Sequence, residues 1–140
     1  PYGVAWSTVY LGFAKFLAGC PEGVDAQARN AIDLASSHGY RAVEAAAHRL
    51  MAGAHHHNGE LRAAETSYLE AIKIASELGL RPEMAHCQSG LSQVYHHLGC
   101  TREADQFRNT ASALYANLQM PTWPSNMAVA VHVAGMPAAG

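Results

Sequence analysis

The sequence predicts an all-α fold, a stack of three antiparallel helix pairs followed by an irregular C-terminal tail. Three observations predict it. Residues recur at a fixed step of 40 along the chain. The segments between recurring glycines carry apolar side chains at intervals of three and four, the stripe of an amphipathic helix. Alanine is abundant, and strand-like runs of Val, Ile, Thr and aromatics are scarce before residue 120, which favours helix over sheet.

The step of 40 is read directly from equivalent positions. Gly19, Gly59 and Gly99 are related by it, as are Leu11, Met51 and Leu91, and Ala31, Ala71 and Ala111. Gly12, Ala52 and Ser92 keep a small residue in register, and Leu34, Ile74 and Leu114 keep a large apolar one. The longest match sets Ala31-Ile32-Asp33-Leu34-Ala35-Ser36 against Ala71-Ile72-Lys73-Ile74-Ala75-Ser76, with Gly39 and Gly79 closing both. Self-similarity at such a period marks stacked supersecondary units, none of which buries its apolar faces alone. The units are 1–40, 41–80 and 81–119, with the tail at 120–140.

Each unit reads as two helices, giving six at roughly 4–18, 22–38, 42–58, 60–78, 82–98 and 101–118. In the fourth, Leu61, Ala64, Tyr68, Ala71, Ile72, Ala75 and Leu78 form the stripe, and Gly79 stands where a left-handed cap is wanted. Pro82 then falls in the first turn of the next helix, where its missing N–H costs nothing. Met84, Cys87, Leu91, Val94, Tyr95 and Leu98 form that helix's buried stripe. Thr101 is the expected N-cap of the last helix, whose stripe is Ala104, Phe107, Ala111, Leu114 and Leu118. Short glycine-centred turns set consecutive helices antiparallel. After Leu118 the register breaks. Pro121 and Pro124 stop the helix, and the apolar segment 127–134 is a poor copy of another repeat helix.

Composition narrows the function. Hydrophobic residues make up 49% of the 140, enough for a packed core. Nine Lys and Arg against eleven Asp and Glu leave no basic stripe for nucleic acid and no polybasic run for an anionic membrane. The apolar stretch from Val4 to Ala18 is broken by Gly12 and Lys15 and is too short to span a bilayer. The chain opens without a basic n-region, and its three cysteines form no close pair, so a reduced, cytoplasmic protein is expected.

His55, His56 and His57 are consecutive, and helical neighbours point about 100° apart, so the three do not converge on one ion. No metal and no cofactor are expected. Cys20 and Cys100 are equivalent positions two units apart, about 20 Å at helix-packing spacing. Cys87 reads as a small apolar filler. Ser36, Ser37 and His38 adjoin Gly39 without a strand to build a nucleophile elbow, and Glu44, Glu60, Glu65, Glu70 and Glu77 are spread as a solvated face. No catalytic residues and no enzymatic activity are expected.

The repeat resembles the tetratricopeptide family. The third unit carries Leu91, Ser92, Tyr95, Gly99 and Ala104 of its pattern, and the second carries Met51, Ala52, Gly59, Ala64, Tyr68 and Ala71. The first keeps Leu11, Gly12, Gly19 and Ala31 but has Lys15 and Val24 where Tyr and Ala are usual, and Arg108 replaces an aromatic in the third. The segment from Leu78 through Cys87 to Tyr95 is also similar to the C-terminal helical arrays of bacterial adenylate or guanylate cyclase and predicted-ATPase regulators. The likeness covers about residues 1–120 and implies a right-handed superhelix acting as an accessory protein–protein interaction module, not the enzyme. In such stacks the first helix of each pair lines the concave side. That implies a partner-binding face including Arg49, His56, His57, His86, Gln93 and His96, suited to a protein or peptide. In the first unit the same face is apolar, and Trp6, Val9, Phe13 and Phe16 form an expected self-association surface, hence a homodimer. The alternatives are a ligand-sensing regulatory domain with a small molecule or peptide on the concave face, or a segment serving homo-oligomerisation alone.

Overall fold

The turns between helices dictate the architecture, and they repeat with the sequence. In the computed structural model, which describes residues 2–118, Gly19, Gly59 and Gly99 adopt φ of 77°, 78° and 82°. At each, the glycine N–H donates to the carbonyl three residues back at 3.1 Å (Phe16, His56, His96). The following N–H donates five residues back at 2.8–2.9 Å (Cys20 to Lys15, Glu60 to His55, Cys100 to Tyr95). That double bond pattern is the Schellman motif, which needs a left-handed residue and therefore glycine. Gly39 and Gly79 close the second helices in the same way, with Tyr40 donating to Ala35 and Leu80 to Ala75.

At four of the five connections the residue after the glycine does two jobs. Tyr40 donates its N–H to Ala35 and accepts the first bond of the next helix from Glu44 at 2.9 Å. Glu60, Leu80 and Cys100 do likewise toward Ala64, Met84 and Ala104. One residue thus ends one helix and starts the next, and no side chain caps any of these starts. Thr101, expected as an N-cap, is the first helical residue, and Cys100 holds the cap position.

The helices are α1 (Tyr2–Leu17), α2 (Val24–His38), α3 (Arg41–His57), α4 (Leu61–Leu78), α5 (Arg81–His97) and α6 (Thr101–Asn117). Among the described residues all regular structure is helical. The expected boundaries fall within two residues of these. The start of α2 is displaced because Gly23 adopts φ 78°, and Val24 bonds back to Pro21 in an extra turn before the helix begins. The tail from residue 120, Trp123 included, lies outside the described residues.

Consecutive helices pack against one another throughout, and α3 also touches α1 on one side and α5 on the other. Among the described residues α2, α4 and α6 make no close backbone approach to each other. The core is built largely of alanine. Ala5, Ala28, Ala31, Ala35, Ala46 and Ala47 surround Val9, Phe13, Val43 and Leu50, and the small side chains let backbones come close. At two points glycine is required by the approach itself. A methyl on Gly12 would overlap the Leu50 side chain, and one on Gly90 would overlap the Tyr68 ring. Tyr68 and Leu50 are both buried there, and each full burial contributes about 1.5–3 kcal/mol.

Candidate functional site

The odd-numbered helices form the one row in which all three units meet, and their side chains are linked across it. On α3, Arg49 is 0% exposed. Its Nε donates to Glu83 Oε1 of α5 at 2.6 Å, and its guanidinium carbon lies 4.4 Å from the centroid of the Phe13 ring on α1. A guanidinium loses several kcal/mol of hydration in such a place, which only a close carboxylate and further bonding offset. Burial works against the Arg49 charge, but the Glu83 carboxylate outweighs it and holds the guanidinium above its ordinary pKa. Phe13 adds the attraction of a ring face for a cation, about 0.5–2 kcal/mol.

Around this pair the interior suppresses ionisation. Burial, with Glu83 nearby, pushes the Cys87 thiol well up, so it is protonated at neutral pH. Burial also raises the Tyr68 phenol. Next along α5, His86 is buried and its Nδ1 shares a 2.9 Å hydrogen bond with the hydroxyl of Tyr115 on α6, whose pKa burial pushes up to about 12. Ser92 ties the same helices by donating to the Ala104 carbonyl at 2.8 Å.

A histidine cluster occupies the other end of the row. His56 Nε2 of α3 and His97 Nδ1 of α5 are 2.8 Å apart. One ring must donate and the other accept, so the bond requires at least one neutral imidazole. Burial first, then the charges of His97 and His57, holds His56 below the usual histidine pKa. The His96 ring lies 5.8 Å from His97, and His57 meets the edge of Phe16 at 6.3 Å. His55 turns away to Glu60 at 3.0 Å. Among the described residues no group of three or more His, Cys, Asp or Glu is placed to hold a metal ion. Cys20, Cys87 and Cys100 are free thiols.

The expected partner-facing residues therefore divide by depth. Arg49 and His86 are buried, His56 and Gln93 are half-buried, and His57 and His96 are exposed. The expected self-association residues divide similarly. Val9 and Phe13 lie inside the core, and Trp6 and Phe16 pack half-buried against it. The large apolar side chains that α1 does expose are Tyr2, Val4, Tyr10, Leu11 and Leu17. Sequence reasoning missed Glu83 and Tyr115. The step of 40 carried a signal for Glu83: it stands where the sister units have Gly3 and Val43, as Arg49 stands where they have Val9 and Ser89. Two opposite charges at otherwise uncharged positions of neighbouring helices mark a buried pair.

Comparison with protein-family models, with curated proteins and with solved structures gives no significant match.

Proposed function

We propose that the chain is a non-catalytic scaffold of tetratricopeptide type, three antiparallel helix pairs wound into a right-handed superhelix that binds a protein or peptide along its concave face. One observation carries this reading. The odd helices touch in series whereas the even helices do not. A row in contact is shorter than a row that is spread, so the stack bends toward α1, α3 and α5 and makes their outer surface concave. His57, His96 and Gln93 offer donors and acceptors there for a peptide backbone or carboxylate. Arg49 and His86 form the floor, bonded to Glu83 and Tyr115. The protonated thiol of Cys87 and the Arg49-bound carboxylate of Glu83 favour a structural over a catalytic use of this interior. No helix among the described residues is long and apolar enough to cross a membrane. The likeness of residues 78–95 to bacterial regulatory arrays favours a cytoplasmic accessory role beside a signalling enzyme.

Selection of a displayed random-peptide library on the immobilised chain, followed by calorimetric titration of enriched peptides, tests the proposal. Binding should weaken about tenfold or more, a loss of ~1.4 kcal/mol, when His57→Glu and His96→Glu are combined. It should be unchanged by Lys73→Glu on α4. Enriched peptides that respond to Lys73→Glu and ignore the histidine pair would overturn it.

A further inference from the structure

The first unit breaks the burial pattern of the other two in one place, a single face of α1. Leu11 is 53% exposed, whereas its equivalents Met51 and Leu91 are 7% and 0% exposed. The same contrast holds at every turn of the face. Gly3 is exposed where Val43 and Glu83 are buried, Ser7 where Ala47 and Cys87 are buried, and Ala14 where Ala54 and Val94 are buried. Tyr10 is exposed where Leu50 and Gly90 are buried. Beside this face, Ala5, Val9 and Gly12 are enclosed like their counterparts. The exposed face carries no charged residue. A groove of about 490 Å³ runs along it against α2, lined by Gly3, Val4, Ser7, Thr8, Leu11 and Gln27. The side-chain oxygen of Gln27 is buried and accepts no hydrogen bond.

In the other units the preceding helix pair covers this face. On α3 it is the preceding hairpin, with Leu50 seated on Gly12 of α1 and α2 packed alongside. On α5 it is again the preceding hairpin, with Tyr68 of α4 laid over Gly90. We infer that the uncharged face of α1, with the groove beside α2, is the docking surface for a further helical hairpin of this same repeat, seated as α1–α2 is on α3. The occupant carries a small residue opposite Tyr10, as Gly12 lies opposite Leu50. A second copy stacking head to tail fits poorly, because α6 has the exposed Arg108 where α4 has the buried Tyr68. The inference concerns a different surface from the proposed partner groove and holds whatever that groove binds.

The test joins an in-register copy of residues 1–40 ahead of Pro1, so that the copy's Tyr40 precedes Pro1 as Tyr40 precedes Arg41 in the chain. Leu11→Glu is then placed in the original α1 of both the extended and the parent chain, and thermal unfolding and amide hydrogen exchange are followed. In the parent chain the substitution meets solvent and shifts Tm by no more than about 1 °C. In the extended chain it puts a charge into a buried contact and lowers Tm by about 5 °C or more. The α1 amides of the unsubstituted extended chain exchange about tenfold or more slowly than in the parent. Equal effects of Leu11→Glu in the two chains, with unchanged α1 exchange, would overturn the inference. So would a parent chain that is dimeric in sedimentation equilibrium and made monomeric by Leu11→Glu, since a second copy would then hold the face.

Discussion

Arg49 is a fully buried charge paired with the Glu83 carboxylate across a repeat boundary. Arg49→Leu alone strands Glu83 and should cost about 3–5 kcal/mol. Arg49→Leu combined with Glu83→Leu removes both charges and should recover most of that loss. Urea unfolding of the singles and the double checks this, and a double variant as unstable as the worse single would refute it. Gly90→Ala should cost about 1–3 kcal/mol from overpacking against Tyr68, read in the same assay. The histidines set the pH dependence. Burial holds both His48 and His56 below the ordinary value of 6.5. The unfolded chain therefore binds more protons than the folded one just below that value. Their contribution is intact above pH 6.5 and is lost as pH falls through the depressed values. The urea midpoint should drop between about pH 7.5 and about pH 5.5, and His48→Gln with His56→Gln should remove most of the drop. Arg49 was legible as a residue of the odd-helix face, but its depth was not. Depth depends on Phe13 and Glu83 arriving from two other helices, which the spacing along α3 does not encode.

At the scale of the element, the glycines that close the helices were the most legible feature, since a left-handed cap restricts the residue at that point. Because Gly19, Gly59 and Gly99 make the same pair of backbone bonds at nearly the same φ, Gly→Ala at each should cost a similar ~1–2 kcal/mol from the left-handed penalty. Denaturation of the three single variants checks it, and a cost confined to one position would contradict the equivalence. The apolar stripes were legible in large part: Ala64, Tyr68, Ala71 and Ala75 of α4 are buried as their spacing requires, but Leu78, at the helix end, is exposed, and Ile74, outside the expected stripe, is buried. The helix starts were less so. Thr101 has the side chain of a capping residue, yet the short connection Leu98-Gly99-Cys100 makes Cys100 the cap through its backbone alone. Nor does the spacing reveal that Gly23 turns left-handed and delays α2.

At the scale of the whole molecule, the glycine turns that close the helices recur along the described residues, and α3 touches both α1 and α5. The step of 40 announced the repetition, because equivalent residues need equivalent surroundings to be buried alike. It was weaker as a guide to the site. Phe13 and Val9 lie on the odd-helix row yet serve the core, while the face left open on α1 emerged only when exposure was compared unit by unit. The central claim is that the units are related by one constant operation. Nitroxide labels at the equivalent, exposed positions Asp33, Lys73 and Ala113 on α2, α4 and α6 test it by electron–electron double resonance. Cys20→Ser and Cys100→Ser remove the accessible native thiols, and Cys87 is buried. Equal 33–73 and 73–113 distances, with a 33–113 distance longer than either, are the expected result. Unequal steps, or a 33–113 distance no longer than a single step, would contradict the account.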